Sequence, residues 1–97
     1  MNRAEVLELA KTCVLGNREE DYGTPEQNFQ IIAEFWNSYL NLDENYISGK
    51  DVAAMLALLK IARIRSGKAK GDNWVDLAGY AACGAEVEET ELKNLED

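Results

Sequence analysis

Two cations and two carboxylates stand at spacings that a helix converts into faces. Lys60 and Arg63 follow the all-apolar octet Val52–Leu59 and lie three residues apart, so one side of a helix carries both. Such a pair on an otherwise uncharged segment suits a phosphate or carboxylate ligand. It equally suits snorkelling from the C-terminal half of a helix, where the dipole favours cations and carboxylates can pair with them. Asp72, Asp76 and Tyr80 step by four and stack on one side of a later helix. Asp72 reads as an N-cap. Asp76 lies one turn further in, between Val75 and Leu77, where an ionised carboxylate needs a partner. That partner is Lys60 or Arg63, a ligand, or a metal. Two more acids interrupt apolar segments: Asp51 reads as a capping-box residue and Glu34 as a solvated face residue.

A second candidate region is the connector Arg18–Phe29, REEDYGTPEQNF. Gly23 turns the chain, Thr24 caps a helix, Pro25 takes its first position and Gln27 completes a capping box. That accounts for the turn. Asp21, Tyr22 and Asn28 are not required by it. Asn28 with Phe29 is either tertiary glue, its amide satisfying loop carbonyls, or part of a site.

The elements that must position these groups are helical. One proline and few β-branched runs favour helices, and 46% hydrophobic residues exclude a disordered chain. The first helix is expected over Asn2–Leu15, with Asn2 as its cap and Gly16 as a left-handed C′ residue. The second runs from the Thr24 cap to about Asn41, and the third from a Ser48–Asp51 capping box to Gly67. The fourth runs from near Asp72 to about Lys93, with an acidic, fraying end over 86–97. The third is apolar on every side, so the expected fold is a single all-α, four-helix bundle-like domain with that helix central and buried. Gly79 and Gly84, set among alanines, give the fourth helix a small-residue face on which another helix can close. Phe29, Phe35, Trp36 and Trp74 are expected in the core.

Composition narrows the chemistry. The 97 residues contain no histidine, so a metal would have to be a hard cation held by carboxylates. Cys13 and Cys83 form no CxxC pair and are expected as buried, reduced thiols in the cytoplasm. The net charge of −8 argues against general nucleic-acid binding. Residues 86–97 alone carry −5 of it, whereas Lys60, Arg63, Arg65, Lys68 and Lys70 make a local basic cluster that leaves room for a small anionic ligand. No apolar run reaches the ~18 residues of a membrane span, and no signal peptide is expected.

The blocks REEDYGTPEQNFQIIAEFWNSYL, DVAAMLALLKIAR and DNWVDLAGYAACGAE, taken in this order, resemble a family of small phage- and prophage-encoded bacterial proteins of unassigned function. The likeness covers about residues 1–88. More distantly, the chain is similar to nucleotide-modification-associated domains, and beyond those to the MazG-like all-α nucleoside triphosphate pyrophosphohydrolases. The last resemblance implies a four-helix core, homo-oligomeric, with carboxylates on two helices holding Mg²⁺ around a triphosphate. Asp76 matches the aspartate of that group's second acidic motif, and Leu77 and Tyr80 suit the residues after it. Asn73 stands where its glutamate belongs, and the first motif, Glu-Glu-x-x-Glu, is missing.

Three functions follow as expectations. A ligand binder would hold a nucleotide or other small anion with Lys60, Arg63, Asp21, Tyr22, Asn28 and Tyr80, without metal. A MazG-like hydrolase would hold Mg²⁺ with Asp76 and Asp72 or Glu34, and use Lys60 and Arg63 on the phosphates. A structural protein would be a helical homo-oligomer joined through the small-residue face of the fourth helix.

Overall fold

The computed structural model describes residues 1–16, 23–67 and 71–96. Four helices follow one another: α1 (Arg3–Leu15), α2 (Pro25–Tyr39), α3 (Gly49–Arg65) and α4 (Asp72–Glu96). The architecture is all-α and bundle-like, as the periodicity predicts.

Helix starts follow the side-chain chemistry. The Asn2 side chain accepts from the Glu5 N–H at 2.9 Å, and the Thr24 hydroxyl accepts from the Gln27 N–H at 3.2 Å. The Gln27 carbonyl oxygen accepts in return from the Thr24 N–H at 3.1 Å, closing the capping box. At α3 the Asp51 carboxylate accepts from both the N–H and the hydroxyl of Ser48. Gly67 has φ +79, a left-handed residue two beyond α3. Two expected ends differ. Gly16 is extended, at φ −79, not left-handed; a Cβ there would sit 2.7 Å from the Thr12 carbonyl oxygen, so close approach is what favours glycine. Asp72 is the first residue of α4 instead of its cap, and the Gly71 carbonyl accepts from Trp74 and Val75.

α4 is the spine. α3 packs along it, α1 lies against it, and α2 packs mainly on α3. The core joins Phe29 and Ala33 of α2, Ile47 before α3, Val52 and Ala53 of α3, and Val87 of α4. The small-residue face of α4 serves this packing inside the chain. Cβ atoms placed at Gly79 and Gly84 would meet Val14 of α1 at 3.2 Å and Ala53 of α3 at 3.0 Å.

α3 is central, but only one of its faces is covered. Val52, Ala53 and Lys60 are buried, while Met55, Leu58, Leu59 and Ile61 are exposed. Phe35 and Trp74, expected in the core, are exposed as well; Phe29 is buried and Trp36 packs at the core's edge. Helix geometry explains Phe35: Phe29, Ala33 and Asn37 take the inward positions of α2, and Phe35 falls on the far side. α4 continues to Glu96, and its acidic end is tied back at Glu91, which accepts from the Lys50 N–H at 3.2 Å.

Gly49, at the start of α3, tests this packing. A Cβ there would meet Val87 at 3.0 Å, the Glu91 carboxylate at 3.3 Å and Phe29 at 3.5 Å. Overpacking of this kind costs about 1–3 kcal/mol, so Gly49→Leu should lower the urea midpoint correspondingly.

Candidate functional site

α3 delivers its one charged side chain between Val52 and Ile61 inward. Lys60 is 9% exposed, and its Nζ lies 2.9 Å from the Asp76 Oδ2 on α4. The lysine side chain is largely buried while its ammonium meets a carboxylate that is itself half-exposed. An ammonium has three donors. Asp76 is the only carboxylate paired with Lys60 among the described residues, so the lysine has donors to spare.

Asp76 also forms the charged corner of a cavity of about 80 Å³. α1 contributes Cys13 and Val14. The start of α2 contributes Gly23, Pro25, Asn28 and Phe29, and α4 contributes Val75, Asp76, Gly79, Tyr80 and Cys83. The i, i+4 step from Asp76 to Tyr80 places both on this wall. Gly79 between them lets Val14 of α1 come close. At roughly 30 Å³ per water, the space holds two or three waters or one compact polar group. It is well below the ~300 Å³ at which drug-sized pockets begin.

The structure therefore brings Asp76, Tyr80 and Asn28 to one cavity, and Lys60 pairs with Asp76 without itself lining it. Asn28 is half-buried, and among the described residues its amide has no hydrogen-bond partner, so it is an open donor and acceptor. Arg63 is exposed and makes no ion pair among the described residues. Asp72 is exposed at the start of α4. Glu34 is exposed on α2, where it accepts from the Gln30 amide at 3.4 Å, and it does not line the cavity. No three Asp, Glu or Cys side chains come together as a metal-binding group among the described residues. Among the described residues the donors near Asp76 thus number fewer than the three or four carboxylates that hold Mg²⁺ against water. Asp21 and Tyr22, like Lys68 and Lys70, lie outside the described residues.

Two residue types escaped sequence reasoning. Cys13 is exposed and Cys83 half-buried, not the fully buried thiols expected. Both line the cavity although seventy positions separate them. Asn37 is 5% exposed; its Nδ2 donates to the Ile47 carbonyl at 3.0 Å and its Oδ1 accepts from the Ile47 N–H at 2.9 Å. An amide in an apolar helix stripe, followed by an unstructured connection, is the signal that could have found it.

Comparison with known proteins places this geometry. The family described as a domain of unknown function, DUF6378, matches residues 5–88. The chain is similar to the Gene 55 protein of Mycobacterium phage D29, 41% identical over 78 residues, covering 80% of this chain and 50% of the relative. It is also similar to the Gene 55 protein of Mycobacterium phage L5, 40% identical over 76 residues, covering 78% and 47%. The chain thus spans about half the length of these curated relatives. No solved structure matches it. Among the described residues no helix is long and apolar enough to cross a membrane.

Proposed function

The chain belongs to the DUF6378 family of domains of unknown function, and we propose that it is a phage-type protein that binds a nucleotide or other small anionic ligand, of which only one compact polar group enters the cavity beside Asp76. The observation that carries this reading is the inward Lys60, a cation paired with Asp76 of the cavity wall. A chain of net charge −8 repels anions at long range, so an anion site needs a cation held in a low-dielectric setting where its field is strong. Lys60 meets that requirement. In this reading the phosphate takes the donors of Lys60 that Asp76 does not use. Asn28 and Tyr80 hydrogen-bond the adjoining part of the ligand, and Asp76 fixes the ammonium. Arg63, three residues on along α3, adds positive potential at the exposed end. Asp21 and Tyr22 precede the cavity residue Gly23 in sequence and complete the proposed ligand set.

A screen of nucleoside mono-, di- and triphosphates by thermal shift, with and without Mg²⁺ or Mn²⁺, tests the proposal. Stabilisation in EDTA with the nucleotide recovered intact is expected, and it should vanish in Lys60→Met. Stabilisation that requires the metal and is accompanied by pyrophosphate release would instead assign the MazG-like hydrolase reading. A melting point that no anion moves would remove the ligand and leave a helical homo-oligomer with a structural role.

A further inference from the structure

The distribution of side-chain sizes in α3 is inverted for a monomer. The fully buried positions hold small residues, Val52 being the largest side chain with essentially no exposure. The outer face holds Met55, Leu58, Leu59 and Ile61, with Leu58 62% exposed. Ala54 and Ala62 are exposed beside them, so between Asp51 and Arg63 every outward position is uncharged and the single charge, Lys60, points in. Next to this ridge runs a groove of about 290 Å³ between α3 and α4. Its walls include Ala53, Ala54, Ala57, Ala81, Gly84 and Ala85.

We propose that this face is covered by a second copy of the same chain, with the Met55–Leu58 ridge of each copy seated in the alanine groove of the other. Three observations select a copy of itself as the occupant. First, the ridge of α3 and the groove between α3 and α4 lie side by side on the surface, which is what a two-fold, self-complementary interface requires. Second, the area fits: the chain exposes 7291 Å², whereas a monomer of 10.8 kDa is expected to expose about 5,500 Å². The excess of roughly 1,800 Å², to which the outer face of α3 contributes together with exposed apolar residues of the other helices, is of the order that each partner of an obligate dimer buries, ~1,000–2,500 Å². Third, two chains of net charge −8 repel each other, and this uncharged strip lets them approach without acid facing acid. At the groove's end Lys50 lies 3.9 Å from Asp51 and 4.0 Å from Glu88, so one cation there offsets part of the charge of two carboxylates. The interface takes in the part of the small-residue face of α4 that walls the groove, Ala81, Gly84 and Ala85, and adds to it the outer ridge of α3, while Gly79 is already occupied by α1. It also stands independently of the ligand proposal.

Sedimentation equilibrium on the full chain at micromolar concentration decides the matter. The wild type should weigh twice the 10.8 kDa of one chain. Leu58→Glu, which blunts the ridge, and Ala57→Arg, which fills the groove, should each halve that mass with far-UV circular dichroism retained. Because both positions line the surface and not the core, each variant is an independent reading if the other unfolds. A wild type of single-chain mass, or an assembly that survives either folded variant, overturns the proposal.

Discussion

Asp76→Ala is expected to destabilise the chain by about 2–3 kcal/mol, whereas Lys60→Met should change stability by no more than about 1 kcal/mol. The asymmetry follows from desolvation. Removing the carboxylate strands an ammonium whose side chain is only 11% exposed. Breaking a buried pair in this way typically costs about 3–5 kcal/mol. The lower figure applies because Asp76 is 41% exposed and water reaches part of the pair. Replacing the lysine by an isosteric hydrophobe has the opposite character: the apolar layer of α3 accepts Met, and the carboxylate left behind is accessible to solvent. Urea denaturation of the two variants measures the difference. Equal losses would mean that the ion pair is retained for stability, and the case for Lys60 as a ligand cation would lose its main support.

The second large effect is expected at Asn37. Asn37→Leu keeps the branched side-chain shape but leaves both backbone groups of Ile47 without partners beside the core cluster. Each unsatisfied buried group costs about 1–3 kcal/mol, so a loss of about 2–4 kcal/mol is expected. The same variant should abolish hydrogen-exchange protection of the Ile47 amide. Retained protection would mean that the connection between α2 and α3 finds other partners. Two non-glycine residues of that connection, Asn41 and Asn45, have positive φ, a geometry asparagine tolerates better than most residues. The Asn37 clamp therefore holds a segment that has little regular hydrogen bonding of its own.

Much of the fold is legible in the sequence because caps and breakers act locally. Asn2, Thr24–Gln27, Ser48–Asp51 and Gly67 mark real boundaries, each through a bond or a backbone angle that depends on a few neighbouring residues. What periodicity does not resolve is which side of an all-apolar helix faces the core. α3 offers apolar groups in every direction, so the pattern cannot tell a helix covered by its own chain from one half-covered. Phe35 and Trp74 mislead for the same reason: an aromatic side chain indicates burial, but only the helix phase set by Phe29, Ala33 and Val75 decides which aromatics turn inward.

The site is legible in part. The step from Asp76 to Tyr80, and a lysine after an apolar run as a partner for Asp76, both point in the sequence to one region of α4 and α3. Asn28 joins them because Pro25 and the Thr24 cap fix the start of α2 at the cavity. Arg63, three residues beyond Lys60, is exposed, since a step of 100° per residue carries it about 60° around the helix from the inward side. The two cysteines illustrate the limit. Only the docking of α1 on α4, made close by Gly79, places them on a common wall. No spacing along the chain encodes that meeting.

The ligand reading is tested most directly by backbone amide resonances during titration with a nucleoside triphosphate in EDTA. Saturable shifts centred on Asn28, Gly79 and Tyr80 in the wild type, absent in a folded Lys60→Met variant, are the expected result. Resonances that stay in place at millimolar nucleotide, or that move equally in Lys60→Met, would contradict a ligand site built on the Lys60–Asp76 pair.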